Sequence, residues 1–275
     1  MLPDMIISTT TDTLFFLRVG FSSIKRILIS DFCTYQHMKY TLTGDNLQFV
    51  TMEIQPGEMV WAEAGALVYM SGNINMEAKL RGGLLKGLKR TLAGESFMVT
   101  HFSSAGGPGL VSFGGNCPGK IAALDMTGTE FIAQKDAFLC AEESVKWEMA
   151  FQKRLGSTFF GGEGLILQHL SGEGMVFLHA AGDLVEIDLK ADQTYKVSTA
   201  HVVGWEPTVS YDIEAAGGVK TAMFGGEGLF MTTLTGPGKI IIQSMTLPQL
   251  ADAVQPFLPT QSSGGNNSGG FQIKL

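Results

Sequence analysis

Cysteine is scarce in this chain. Three occur in 275 residues, Cys33, Cys117 and Cys140, an odd number with no CxxC spacing. That excludes a disulfide framework and a structural zinc site and points to a reducing, cytoplasmic-type compartment, with each thiol read as a small buried apolar residue. Charge is also sparse, at 16% of residues, and leans acidic to a net −7. Too little positive charge speaks against a nucleic-acid groove and against a surface built to lie on anionic lipid. No segment reads as a spanning helix, which needs about 20 mostly apolar residues. The best candidate, "TLFFLRVGFSSIKRILI" (13–29), is broken by Arg18, Lys25 and Arg26. Helix signals in general are few.

Glycine is what the chain has in excess. Its 35 glycines are about twice average usage, and without a collagen period they suggest many tight turns between short strands. They fall in a pattern. "GGE" at Gly161–Glu163 returns at Gly225–Glu227, and "SGEG" at Ser171–Gly174 returns as "TGPG" at Thr235–Gly238, both 64 residues on. "VKWEM" at 145–149 matches "VSYDI" at 209–213 in the same register. A more diverged copy comes first: "GEMVWAEAGALVYM" (57–70) aligns with "TEFIAQKDAFLCA", and "AGESFMVTHF" (93–102) with "GGEGLILQHL". Its extra residues fall in the connection Lys79–Leu92 and the turn Ser103–Gly109, where a structural repeat tolerates insertion.

Within each copy the periodicity is that of strands. "FMVTHF", "LILQHL" and "LFMTTL" are short, apolar and bounded by glycine, as are "LVSF", "MVFL" and "KIIIQ". A Gly-x-Gly turn joins each pair, which predicts hairpins. The structural turn glycines are Gly94, Gly107 and Gly109, then Gly162, Gly172 and Gly174, then Gly226, Gly236 and Gly238. "ESVKWEMAFQKRL" reads as a helix alone, but its counterpart "PTVSYDIEAAGGV" does not, so both are read as strands. The expected fold is all-β: three pseudo-repeats of a small sandwich or roll (about 38–119, 120–183 and 184–245) within one domain, 38–245, with internal pseudo-threefold symmetry. Residues 1–37 are expected to be an extension outside this core, with Met38 as the natural start. Residues 246–259 are expected to form a short helix packed on the body through Leu250, Val254, Phe257 and Leu258, and 260–275 a flexible tail.

Several stretches resemble one family. "AEAGALVYMSGNINME", "RGGLLKGLKRTLAGESFMVTHF", "GLVSFGGNCPGKIAALD", "FGGEGL" and "TLPQLADAVQPFLP" are similar to the altered-inheritance-of-mitochondria (mitochondrial biogenesis) family, over about Met38 to Pro259. The resemblance implies an all-β fold related to the subunit of the tryptophan RNA-binding attenuation protein, with three repeats in one chain. It implies a role in inner-membrane organisation in mitochondria-bearing organisms and no established activity for bacterial relatives. It supplies no catalytic motif.

Candidate sites are few. Glu95, Glu163 and Glu227 occupy equivalent turns; converging on an axis they would suit a hard cation, whereas on separate turns they are simply solvated, which is the favoured reading. The basic stretch Lys79–Arg90, with Arg81, Lys86, Lys89 and Arg90, is either a loop contacting phosphate, membrane or an acidic partner or a solvated loop whose leucines cap the core. His101 and His169 are equivalent, but Thr233 takes the third place, so a three-His metal site is excluded. His179 and His201 are read as half-buried strand residues. "GESFM" lacks the second glycine of a nucleophile elbow, and "GGEGL" opens a strand, not a helix, so no phosphate cradle is expected. No cofactor is expected. The reading is a non-enzymatic scaffold or interaction protein of the cytoplasm, self-associating or bound to a protein partner, without nucleic acid, and touching membrane only through Lys79–Arg90. Mitochondrial location would require residues 1–37 to act as a presequence. The alternative is a small-ligand module using a cleft between units.

Overall fold

The computed structural model describes residues 37–81, 97–153, 165–215 and 230–258. Glycine-bounded apolar runs become strands because side chains on alternate faces need apolar cover on one face only. β2 (Phe49–Ile54) shows this directly: Val50, Met52 and Ile54 are buried and the residues between them are not. The first third of the chain forms β1 (Tyr40–Thr43), β2, β3 (Met59–Glu63), β4 (Leu67–Met70), β5 (Ile74–Arg81), β6 (Phe97–Ser104) and β7 (Gly109–Gly114). Next come β8 (Gly119–Asp125), β9 (Phe131–Gln134), β10 (Phe138–Glu142), β11 (Val145–Lys153), β12 (Leu165–Gly172) and β13 (Met175–Ala181). The last are β14 (Leu184–Leu189), β15 (Thr194–Ser198), β16 (Val202–Trp205), β17 (Ser210–Ala215), β18 (Phe230–Thr235) and β19 (Gly238–Gln243), followed by helix α1 (Leu247–Val254). The stretch "VKWEMAFQK" is strand β11, as its counterpart required.

Four sheets result. Sheet I runs β1-β2-β7-β4, sheet II β5-β6-β3-β10-β13-β8, sheet III β11-β12-β9-β16-β19-β14 and sheet IV β15-β18-β17. One pairing order occurs three times: β2-β7-β4, β8-β13-β10 and β14-β19-β16. A second also occurs three times: β5-β6-β3, β11-β12-β9 and β17-β18-β15. Sheets II and III each join one triplet of each kind, through β3 against β10 and β9 against β16.

Three apolar clusters separate the four sheets. Val50, Met52 and Phe113 of sheet I meet Val60, Phe102 and Phe177 of sheet II. Trp61 and Leu178 of sheet II meet Phe131, Leu170 and Ile241 of sheet III. Leu167, Trp205 and Ile240 of sheet III meet Ile213 and Leu234 of sheet IV. The inner sheets are therefore covered on both sides, and all seven residues of β13 are buried. That is why "MVFLHAA" is apolar at every position but His179, where a one-sided strand would alternate.

The Gly-x-Gly turns are not hairpins. β6 and β7, β12 and β13, and β18 and β19 lie in different sheets, so Gly107–Gly109, Gly172–Gly174 and Gly236–Gly238 are corners between packed layers. Close approach makes glycine necessary at the second of these corners. Gly174 has φ +111°, and a Cβ on it would lie 2.7 Å from Ser144 Oγ and 2.8 Å from Glu142 Oε2. The true antiparallel neighbours are β5 with β6, β11 with β12 and β17 with β18. Their connections, which hold Gly94, Gly162 and Gly226, lie outside the described residues.

The expected short C-terminal helix is present, whereas residues 1–36 and 259–275, which carry the expected extension and tail, lie outside the described residues. His37, assigned to the extension, places Nε2 3.2 Å from Asp125 Oδ2, and the Met38 N–H donates to Glu142 Oε1 at 2.8 Å. Helix α1 starts at a capping box: Thr246 Oγ1 accepts from the Gln249 N–H at 3.2 Å, and Gln249 Oε1 from the Thr246 N–H at 3.0 Å. Among the described residues Val254, Phe257 and Leu258 are exposed and Leu250 only half-buried. Leu247, Pro248 and Ala251 border a cleft but are themselves exposed, and Leu250 is the one residue of the expected apolar face that is partly covered.

Candidate functional site

The end of β3 and the connection after β9 converge beside α1 and the end of β19 on a cleft of about 510 Å3. Glu63 ends β3 and Gln134 ends β9, at matching places in their sheets. A short 3-10 turn, Lys135–Ala137, follows Gln134, and a second, Thr199–His201, follows β15. Cys117 and His179 line the same cleft, with Gln243, Leu247, Pro248 and Ala251.

Electrostatics inside the cleft follow from burial. Desolvation raises the Glu63 carboxyl from 4.5 to about 7; the Asp136 carboxylate adds to the rise and the Lys135 ammonium opposes it. At neutral pH Glu63 therefore exchanges between an acceptor-only carboxylate and a carboxyl that also donates. Burial pushes His179 below its ordinary value, against a smaller opposing effect from a hydrogen bond to the Cys117 backbone, so it is a neutral imidazole at pH 7. Burial raises the Cys117 thiol, which favours the protonated, unreactive form.

One wall is tied in place by hydrogen bonds. Gln243 Oε1 accepts from the Ala181 N–H at 2.9 Å, and its Nε2 donates to the Ala200 carbonyl at 2.8 Å. His201 Nδ1 lies 2.7 Å from the Gln243 carbonyl, which only accepts, so Nδ1 carries the proton. His201 Nε2 then faces Gln249 Nε2 at 3.4 Å, linking α1 to the wall. A neutral imidazole, carboxamides and a carboxyl near neutrality, set among apolar surface, suit a small polar ligand held by hydrogen bonds.

The residues singled out from sequence fare unevenly. Glu95, Glu163 and Glu227 lie outside the described residues, as do Lys86, Lys89 and Arg90. Lys79 and Arg81 belong to β5, so the basic stretch begins in a strand and not in a loop; Lys79 Nζ lies 3.0 Å from Glu77 Oε2. His101 and His169 do sit at matching strand positions, each beside a carboxylate: His101 Nδ1 is 3.4 Å from Glu143 Oε2, and His169 Nε2 is 3.0 Å from Glu130 Oε2. Among the described residues no three of His, Cys, Asp and Glu gather as a metal site. Cys140 is buried, and burial pushes its thiol well above its ordinary value; Cys33 lies outside the described residues. Glu63, Gln134 and Gln243 were not singled out, although Glu63 stands inside "AEAGA", a distinctive stretch of the family resemblance.

The chain is similar to bacterial proteins and matches one family model. An uncharacterized protein of Streptococcus pyogenes serotype M6 is 31% identical over 236 residues, which cover 82% of this chain and 93% of that protein. A crystal structure of a Streptococcus pyogenes protein superposes with a TM-score of 0.68 at 29% identity, covering 81% of this chain and all of the other. A family model described as Mitochondrial biogenesis AIM24 matches residues 40–245, the span of the four sheets, and the chain belongs to that family.

Proposed function

We propose that the protein is a non-enzymatic scaffold or interaction protein whose sheets present open edges to a partner. The observation that carries this reading is β4, an edge strand with Val68, Tyr69 and Met70 all exposed. Exposed apolar edges are templates for strand addition, and natural sheets otherwise blunt or cover them. The three triplets of each kind are read as three copies of one module, kin to the attenuation-protein subunit. Their pseudo-threefold relation belongs to the same reading. Location in the cytoplasm, and membrane contact through Lys79–Arg90 alone, belong to the same reading. Crosslinking and pull-down from native cells with the intact chain tests it: a specific protein partner lost on Tyr69→Lys supports it, and capture unchanged by that substitution refutes the edge as the contact.

A second reading is favoured by the cleft: a small-ligand module in which Glu63, Gln134 and His179 hold a polar molecule. Screening by thermal shift, with Glu63→Gln as control, tests it. A ligand whose stabilisation survives Glu63→Gln and His179→Phe does not use this cleft.

A further inference from the structure

The two joints inside the chain are made in one register. At the first, β3 lies antiparallel to β10, with Ala62 opposite Cys140 and Trp61 opposite Ala141. At the second, β9 lies antiparallel to β16, with Ala133 opposite Gly204 and Ile132 opposite Trp205. By their places in the two triplet orders, β3, β9 and β15 are equivalent strands, and so are β4, β10 and β16. The second set also shares an irregularity: the register shifts between Leu67 and Tyr69, between Phe138 and Cys140, and between Val202 and Gly204. One member of each set is left over. β4 pairs only with β7 and β15 only with β18 among the described strands.

Burial shows what the leftover strands lack. In β10, Leu139, Cys140 and Ala141 are 2%, 0% and 0% exposed; the matching Val68, Tyr69 and Met70 of β4 are 54%, 45% and 38% exposed. On the other side, Val60 and Phe131 are buried where β15 exposes Tyr195. A lysine on an edge strand commonly blocks pairing, but Lys196 Nζ is held 2.7 Å from Glu214 Oε1 on β17, within its own sheet.

We propose that β15 of one copy pairs antiparallel with β4 of a second copy, with Val197 opposite Tyr69 and Lys196 opposite Met70. Sheets IV and I then become one seven-stranded sheet across two molecules, ordered β17-β18-β15-β4-β7-β2-β1. The joint is head-to-tail, since each copy carries one of each edge, so association continues from copy to copy and ends in a ring or a filament. This deepens the scaffold reading, and rests on it, by naming the partner as the chain itself.

The test uses the full chain with Cys33 and Cys117 replaced by serine. Directly opposed residues of an antiparallel pair have Cα atoms about 4.5–5.5 Å apart, within disulfide reach. Mixing Tyr69→Cys chains with Val197→Cys chains under mild oxidation is expected to give a disulfide-linked pair that neither variant gives alone. A chain with both substitutions is expected to give a ladder of multiples of 29.5 kDa, and sedimentation of the unsubstituted chain a mass above one copy. A double variant that links only within itself overturns the proposal, because the joint then closes inside one chain. A single-copy mass at tens of micromolar with no crosslink in the mixture also overturns it. That result leaves the scaffold reading standing if native-cell capture still finds a different protein.

Discussion

The indole of Trp61 lies stacked on the ring of Phe138, centroids 4.4 Å apart and planes 17° from parallel. The two residues belong to β3 and β10, the strands that join one triplet to the next, and the Trp61 Nε1–H also donates to the Glu142 carbonyl at 3.1 Å. Trp61→Ala is expected to cost about 3–5 kcal/mol through lost contact and a cavity. Urea unfolding measures it. A cost below about 1 kcal/mol, the range of ordinary surface changes, would mean that the stack does not hold the joint.

The corners should tolerate substitution unequally. Gly174→Ala places a Cβ against Ser144 and Glu142 at positive φ and is expected to lose about 2 kcal/mol or more. Gly107 has φ +71° and nothing within 4 Å of a Cβ, so Gly107→Asn, a residue that accepts left-handed backbone, should change stability by less than about 1 kcal/mol. Equal effects at the two corners would contradict the packing described at the second.

Glu63 gives the fold a pH signature. The folded protein holds this proton up to about pH 7, whereas the unfolded chain releases it near 4.5. Between those values the folded state binds more protons, so this group's contribution to stability is full below about 4.5 and falls as pH rises to about 7, by on the order of 1–3 kcal/mol. Glu63→Gln should remove that fall. Urea midpoints for both proteins across this window decide it, and parallel curves would show that the carboxyl is not desolvated.

Gln168 is fully buried on β12, and neither end of its carboxamide has a partner among the described residues. The matching residue of β18, Thr232, is bonded to Thr199 Oγ1 at 3.0 Å. Gln168→Met keeps the volume and removes the unmet polar group, so it is expected to stabilise by about 1 kcal/mol. Destabilisation of that size would show that the amide is satisfied after all.

How far the residues announce this structure depends on the range of the interaction. Strands were legible because alternation and glycine boundaries are local, and β11 was recovered from its counterpart despite a helical look. The corners were misread because glycine at positive φ serves a hairpin and a change of sheet equally well. What separates the two is whether the flanking strands bond to each other, and that is settled by strands far away in sequence. The apolar stripe of α1 is visible in the sequence, but not that Leu250 is its one partly covered member while Val254, Phe257 and Leu258 stay exposed. The cleft was the least legible feature. Glu63, Gln134, His179 and Gln243 come from four separate strands, and no spacing along the chain links them.

β13 is a partition with a different tenant on either side: Phe177 fills one compartment and Leu178 the next. No third of this chain owns all of its walls. Removing the chain beyond Gly182 would strip cover from both inner layers, so the molecule should melt in a single transition, and calorimetry resolving three independent steps would contradict that shared construction.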